Sequence, residues 1–113
     1  MPAAPLPDLV LYGKPGCHLC EDAAATLVGL LDERIAAGLA VPRLVERDIT
    51  TDPAWERAFF ETIPVVELGQ RRLPLAVRRG ALARWLAEAL EAESGGADGD
   101  PAAAAMPTPG ASG

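Results

Sequence analysis

The two cysteines of this 113-residue chain, Cys17 and Cys20, lie three residues apart, shortly after an apolar segment at positions 9–12. We interpret that segment as a β-strand and the residues from Cys20 onwards as an α-helix. The unpaired N–H groups and the macrodipole at a helix N-terminus stabilise an anion, so a cysteine placed there loses its proton readily. A second sulfur one turn away can close a small disulfide ring. The motif therefore predicts a thiol–disulfide redox site.

Three other roles for the cysteine pair stay open at this point. A structural disulfide between such near neighbours would close a very short loop and remove little entropy from the unfolded chain. A zinc or iron–sulfur site would need a carboxylate or a second subunit to complete it, because two cysteines and one histidine, His18, all lie in one turn. The third role is that of two buried, small apolar side chains.

Composition divides the chain into one domain with two flanking segments. The last twenty residues contain only Gly, Ala, Ser, Pro, Asp, Thr and Met106, which is too little large apolar surface to offset the entropy of ordering. The first seven residues carry three prolines and no periodicity. We therefore expect a flexible segment over residues 1–7, a domain over residues 8–92 and a disordered tail over residues 93–113. A domain of roughly 85 residues supports one hydrophobic core.

The net charge and the hydropathy of the chain bear on its compartment and on the kinds of partner it can bind. The net charge of −6, from 16 acidic and 10 basic residues, argues against a nucleic-acid partner. No basic residue precedes Lys14, and no stretch approaches the roughly 18 to 20 apolar residues that cross a bilayer. We expect a cytoplasmic protein without membrane contact. Disulfides in that compartment are seldom structural, which favours a catalytic cysteine pair.

The apolar periodicity predicts alternating strands and helices. The predicted elements are a strand at 9–12, a helix at 20–37, a strand at 43–49, a helix at 53–61, strands at 64–68 and 71–77, and a helix at 79–92. Gly69 and Gln70 suit a two-residue hairpin loop, and Pro74 makes the strand that contains it an edge strand. This βαβαββα order predicts an α/β fold, with a four-stranded mixed sheet flanked by three helices.

The same element order, with Cys-x-x-Cys opening the first helix and Thr62-Ile63-Pro64 opening the third strand, resembles the glutaredoxin-like branch of the thioredoxin superfamily over about residues 8–92. Lys14, three residues before the first cysteine, is similar to the lysine with which glutaredoxins approach their nucleophile. His18 and Leu19 are similar to the middle pair of small bacterial glutaredoxin-like proteins. The resemblance implies a thioredoxin-like fold and a dithiol oxidoreductase activity.

Site roles follow from that resemblance. It implies that Cys17 is the attacking thiolate and Cys20 the resolving thiol. It also implies that the peptide bond before Pro64 is cis and that Thr62-Ile63-Pro64 offers backbone groups to an incoming peptide or thiol. Lys14 and His18 would tune the thiolate; the alternative for each is a solvated surface position.

The glutathione-binding pattern of glutaredoxins is broken in this chain. Those proteins carry a Gly-Gly pair and an acidic residue at the start of the last helix, whereas this chain has Arg78, Arg79 and Gly80 there, with one glycine and no acid. We expect these three residues to contact an anionic thiol or an acidic protein surface. Glutathione would then serve as a poor co-substrate.

The sequence thus predicts a monomer that binds no resident cofactor or metal and acts on disulfide-bearing proteins or small thiols. The rival hypothesis is a thioredoxin-fold binding module, or a dimeric metal or iron–sulfur carrier, that uses the same cysteines as ligands.

Overall fold

A computed structural model describes residues 6–96 of the chain. Its elements are β1 (Leu9–Gly13), α1 (His18–Ala36), β2 (Leu44–Asp48), a 3₁₀ turn (Ile49–Thr51), α2 (Pro53–Phe59), β3 (Val65–Leu68), β4 (Arg71–Leu73) and α3 (Arg79–Gly96). The four strands form one sheet in the order β2-β1-β3-β4. β2 pairs with β1 in parallel, whereas β3 pairs with β1, and β4 with β3, in antiparallel fashion. The predicted α/β fold and its four-stranded mixed sheet are confirmed.

Alternation along β1 sends its side chains to two faces of the sheet. Leu9 and Leu11 lie in the larger core cluster, which α1 and α3 cover. Tyr12 lies in the smaller cluster on the opposite face, with Ile49 of the 3₁₀ turn and Phe59 of α2. The larger cluster consists of Leu9, Leu11, Ala23, Leu27, Leu30, Leu31, Val66, Leu68, Ala76, Leu82, Leu86, Ala89 and Leu90. The sheet therefore has two helices on one face and one short helix on the other.

Several element ends differ from the sequence prediction. α1 begins at His18 rather than at position 20, because Cys17 caps it. β4 ends at Leu73, four residues earlier than predicted, since Pro74 has no N–H to donate to a ladder and Leu75 adopts a positive φ of 51°. β4 is nevertheless an edge strand, as Pro74 predicts. The 3₁₀ turn takes Ile49 out of the predicted second strand.

The helix starts and stops follow local rules. Asp52 caps α2 by accepting a hydrogen bond of 2.8 Å from the Ala54 N–H, and Pro53 occupies the first turn. α2 ends at Phe59, two residues before the predicted end, because Thr62 and Ile63 donate their N–H groups to the Phe59 carbonyl and turn the chain. These turns bring Pro64 to the start of β3.

The flanking segments lie partly outside the described residues. Leu6 packs against the larger core cluster. α3 continues through residues 93–96, at the start of the predicted tail. Residues 1–5 and 97–113, which hold most of the predicted flexible segment and tail, are outside the described part of the chain. Across positions 6–96, no helix combines the length and the apolar character that crossing a membrane requires.

Candidate functional site

The cysteine pair stands at the junction between β1 and α1. Cys17 is the N-cap of α1, and its Sγ accepts a hydrogen bond of 3.1 Å from the Cys20 N–H. Cys20 lies one turn into the helix and is only 7% exposed, whereas Cys17 is half-buried. The two sulfurs form a disulfide, with their Cα atoms 5.2 Å apart. The helix N-terminus therefore stabilises negative charge on the accessible sulfur, that of Cys17.

Gly13 packs against the buried side chain of Cys20. A Cβ added to Gly13 would lie 3.0 Å from both the Cβ and the Sγ of Cys20, which is closer than ordinary van der Waals contact. Cys20 can pack onto the end of β1 because this position has no side chain. Sequence reasoning missed this residue; the one signal was a glycine at the end of a strand shortly before the motif.

The segment before β3 lies beside the cysteines. The Ile63–Pro64 peptide bond is cis, as the resemblance implied. Tyr12 pairs with Val65 in the antiparallel register of β1 and β3, so Gly13 and Pro64 each come next after this last pair, at the same end of the two strands. Cys20 packs on Gly13, so Pro64 lies at the end of the sheet at which the redox pair stands.

Much of the backbone around Pro64 is already hydrogen-bonded. The Ile63 N–H donates to the Phe59 carbonyl at 3.1 Å. The Thr62 carbonyl accepts from the Leu75 N–H, and the Pro64 carbonyl accepts from the Ala76 N–H. The Ile63 carbonyl takes part in none of these turn hydrogen bonds. Among the backbone N–H and carbonyl groups of Thr62, Ile63 and Pro64, this carbonyl is the one outside these turn hydrogen bonds.

The two residues expected to tune the thiolate are both on the surface. Lys14 is exposed in the loop before the cysteines and lines a cleft beside Cys20. The His18 side chain is 95% exposed, and its Nδ1 lies 3.9 Å from Glu21 Oε1. The hydrogen bond that reaches Cys17 Sγ comes from the backbone of Cys20 rather than from either of these side chains.

One residue of the predicted anion-binding group at the start of α3, Arg79, forms an ion pair with α1. Arg79 Nη2 lies 2.9 Å from Glu33 Oε2, near the end of α1. Glu33 follows Cys17 by sixteen residues, which corresponds to about 24 Å along a helix at 1.5 Å per residue. Arg78 and Gly80 are exposed beside it. The guanidinium of Arg79 therefore points away from the redox pair.

A cleft of about 330 Å³ opens beside Cys20 on the side of β2. Gly13, Lys14 and Cys20 line it, together with the acidic residues Glu21, Glu46 and Asp48. No cluster of three or more His, Cys, Asp or Glu side chains within residues 6–96 is arranged to hold a metal ion. The cleft is thus a charged, water-accessible space on the inner side of the redox pair.

A polar network occupies the opposite face of the sheet. The Tyr12 hydroxyl donates a hydrogen bond of 3.0 Å to Glu67 Oε1, and Arg72 donates two to Glu67 Oε2. The Arg72 guanidinium lies 5.1 Å from the centre of the Phe59 ring. Burial raises the pKa of Tyr12 above its usual value, and the hydrogen bond to Glu67 adds to that rise. This network, which the sequence did not predict, joins β1, β3, β4 and α2.

Comparison with known proteins shows a family and similar solved structures. Residues 8–89 match the family described as Glutaredoxin-like domain (DUF836). The X-ray structure of the Northeast Structural Genomics target protein XcR50 from X. campestris is 26% identical, with a TM-score of 0.56 over 71% of this chain and 96% of that one. The NMR structure of protein Ne2328 from Nitrosomonas europaea is also 26% identical, with a TM-score of 0.49 over 66% and 79% of the two chains. No curated protein matches the chain.

The family match covers more than half of the chain, and the Cys-x-x-Cys pair lies at the start of α1 as in a redox module of this kind. The chain belongs to the Glutaredoxin-like domain (DUF836) family, within the thioredoxin superfamily.

Proposed function

We propose that this protein is a dithiol–disulfide oxidoreductase that acts through Cys17 and Cys20. The asymmetry of the two sulfurs carries the proposal. Cys17 is the more accessible cysteine, and its sulfur accepts a hydrogen bond from a helix N–H, which favours the thiolate. Cys20 is buried, and its sulfur is close enough to form a disulfide with Cys17.

The reaction consists of two exchanges. The Cys17 thiolate attacks one sulfur of a substrate disulfide, that S–S bond breaks, and the first substrate thiolate leaves and takes up a proton. Cys20, as its thiolate, then attacks Cys17 Sγ in the mixed disulfide and releases the second substrate thiol. The substrate gains two electrons and two protons, and the protein becomes the Cys17–Cys20 disulfide. An external thiol or dithiol reduces the protein again by the reverse exchange.

We propose protein disulfides rather than glutathione mixed disulfides as the main substrate. No acidic residue occupies the start of α3, and Arg79 pairs with Glu33 instead of facing the cysteines. Two large apolar side chains are exposed where a polypeptide substrate would lie. Leu19, inside the Cys-x-x-Cys motif, is 52% exposed. Leu75, whose N–H donates to the Thr62 carbonyl, is 55% exposed. The proposed setting is the cytoplasm, with the protein a monomer without a resident cofactor.

Trapping tests the assignment. The Cys20→Ser variant is expected to accumulate a mixed disulfide with a disulfide-bonded peptide, which mass spectrometry detects, whereas the Cys17→Ser variant is expected to form none. Equal trapping by both variants would refute the roles. Stoichiometric iron or zinc in the purified protein, or a visible absorbance band, would instead support the rival metal or iron–sulfur carrier.

A further inference from the structure

We propose that the open edge of β2, together with the flank of α1 beside it, docks an extended segment of a partner protein that alternates apolar and basic side chains. The segment would add to the sheet as a further strand next to β2. This interaction surface includes neither cysteine and goes beyond the proposed exchange reaction. We call it the β2-edge surface, and its members are Glu21, Val28, Asp32, Ile35, Leu44 and Glu46.

Within residues 6–96, β2 pairs with β1 alone and forms one edge of the sheet. The Leu9 N–H donates to the Arg43 carbonyl at 2.8 Å, and backbone groups alternate in direction along a strand. The backbone groups of Leu44 and Glu46 therefore point to the open edge. Groups in this position can pair with the backbone of an added strand.

The two edges of the sheet differ in how they are protected. β4 spans three residues, begins with two arginines and is followed directly by Pro74. Short length, charge and proline are features that deter strand addition. β2 spans five residues without proline, its first two residues, Leu44 and Val45, are apolar and half-buried, and its charges come after them. β2 is therefore the edge that can accept another strand.

One flank of α1 extends this edge with exposed apolar side chains. Glu21, Val28 and Ile35 are seven residues apart, close to two helical turns, so they share a flank. Glu21 lines a cleft with Glu46 and Asp48 of β2, which places that flank on the β2 side of the helix. Val28 is 48% exposed and Ile35 is 56% exposed. Both side chains therefore offer apolar surface to a segment that lies along β2.

The strand register orders the apolar and acidic parts of the surface. β1 and β2 are parallel, so α1, which joins them, runs back antiparallel to both. The two apolar residues of the α1 flank hence lie towards the start of β2. Leu44 and Glu46 pair with Leu9 and Leu11, whose side chains lie in the core beneath α1, so both face α1. The surface is thus apolar at the Leu44 end and acidic at the cleft end.

The charges that border the apolar residues are acidic. Asp32 is exposed four residues after Val28, on the same side of α1. Glu46 is exposed on β2, and Asp48 Oδ1 accepts hydrogen bonds from Thr50. Lysine or arginine side chains of an added strand would complement these carboxylates.

The basic residues nearby are directed elsewhere. Arg43, at the start of β2, donates to Asp8 at 2.9 Å. Arg47 pairs with Tyr12, so its side chain faces the opposite side of the sheet. Lys14 borders the cleft from the loop that follows β1. The carboxylates of the surface therefore leave room for basic groups from a partner.

Two occupants from the protein itself fit the surface less well. The segments outside the described residues, 1–5 and 97–113, carry no basic side chain, and the second contains three prolines. A second copy would bring an identical acidic edge, at a net charge of −6 for each chain. A basic segment of a different protein is therefore the partner that the charges favour.

Peptide selection on the oxidised full chain tests the surface. With Cys17 and Cys20 joined in their disulfide, capture through a free thiol is avoided. The probe is a phage-displayed library of short random peptides without cysteine. We expect the selected peptides to alternate apolar residues with others and to carry lysine or arginine towards one end. Recovery of no such peptide would overturn the proposal.

Variants locate the binding of a selected peptide, which calorimetric titration measures. The double variant Val28→Ala/Ile35→Ala shortens two exposed side chains in a helix, where alanine is well tolerated. It should weaken binding at least about tenfold, because methyl groups that the peptide would bury are missing. Val77→Ala, at an exposed valine before α3, is the matched control and should bind as the wild type does. An equal loss in both, or in neither, would overturn the proposal.

The backbone contribution has its own pair of variants. Glu46→Pro removes an N–H that points to the open edge, a position where a strand tolerates proline. It should weaken peptide binding at least about tenfold, as expected where main-chain hydrogen bonds supply much of the affinity. Glu46→Ala keeps the N–H and removes only the charge, so it should weaken binding less. Equal losses in the two variants would contradict strand addition.

Amide hydrogen exchange reports on the edge directly. The Glu46 N–H should exchange quickly in the free protein and at least about tenfold more slowly with peptide bound, whereas the Val45 N–H, which faces β1, should be protected in both states. A protected Glu46 N–H in the free protein would show that a second copy or another segment of this chain already covers the edge, and would overturn the proposal. Trapping on Cys17 and Cys20 tests the redox function separately.

Discussion

Gly13, the last residue of β1, lies directly against Cys20, the second cysteine of the motif. An added Cβ would lie 3.0 Å from both the Cβ and the Sγ of that cysteine, so the Cys20 side chain packs closely on the end of the strand. The position of the buried sulfur is therefore set by a residue that carries no chemistry itself.

We expect Gly13→Ala to destabilise the protein by about 1 to 3 kcal/mol, the usual cost of inserting a methyl group into a packed interior. Denaturant unfolding of the oxidised protein measures the change. Gly29→Ala is the matched control, because that glycine lies within α1 with open space around it. At position 29, the higher helix propensity of alanine should raise the free energy of unfolding by about 0.5 to 1 kcal/mol. Equal changes in the free energy of unfolding for the two variants would contradict the close contact between Gly13 and Cys20.

Tyr12 is the sole tyrosine of the chain, so tyrosinate absorbance reports its ionisation directly. Burial, and then the hydrogen bond to Glu67, raise its pKa above the usual value of 10.0. We expect the absorbance midpoint of the folded protein to lie above that of the protein unfolded in denaturant, and Glu67→Gln to lower it.

The raised pKa of Tyr12 determines how this residue contributes to folding stability at different pH values. Because the folded state holds the Tyr12 proton more tightly, this contribution to stability is complete below the unfolded pKa and is lost as the pH rises through the folded pKa. Coincident midpoints for folded and unfolded protein would show that the hydroxyl is neither buried nor bonded as described.

Arg79→Ala should leave the reaction of Cys17 with a disulfide peptide unchanged, because the guanidinium pairs with Glu33 far along α1. The loss of stability should stay below about 1 kcal/mol, as is typical of exposed ion pairs. Lys14→Ala, in the loop that lines the cleft, should instead slow the reaction with an anionic thiol. A large effect of Arg79→Ala on anionic substrates alone would show that this arginine does reach the site.

Glutathione mixed disulfides should be poor substrates compared with a protein disulfide. A site for the glutamyl end needs a partner for its ammonium group, and a lost hydrogen bond to a charged group costs about 1.5 to 3 kcal/mol, roughly ten- to a hundredfold in affinity. Steady-state rates with a glutathionylated peptide and with a disulfide-bonded protein provide the comparison. Much faster turnover of the glutathionylated peptide would identify a glutathione-dependent glutaredoxin.

Residues a few positions apart were sufficient to predict the elements and the redox motif. The start of α2 at Pro53 and the hairpin at Gly69 and Gln70 both depend on short-range backbone geometry. The helical repeat of the last segment predicted α3 for the same reason. The edge position of the fourth strand was predicted from one residue, Pro74, which cannot donate to a neighbouring strand and comes directly after β4.

Tertiary structure alone decided which residues distant in the sequence come together. The pairing of Arg79 with Glu33 spans 46 positions and that of Tyr12 with Glu67 spans 55, so neither has a local signature. The placement of Glu46 beside Cys20 depends on the register of two parallel strands joined through a whole helix. Register and helix packing are set by how the apolar faces fit together, and a shift of one residue would turn Glu46 to the opposite face of the sheet.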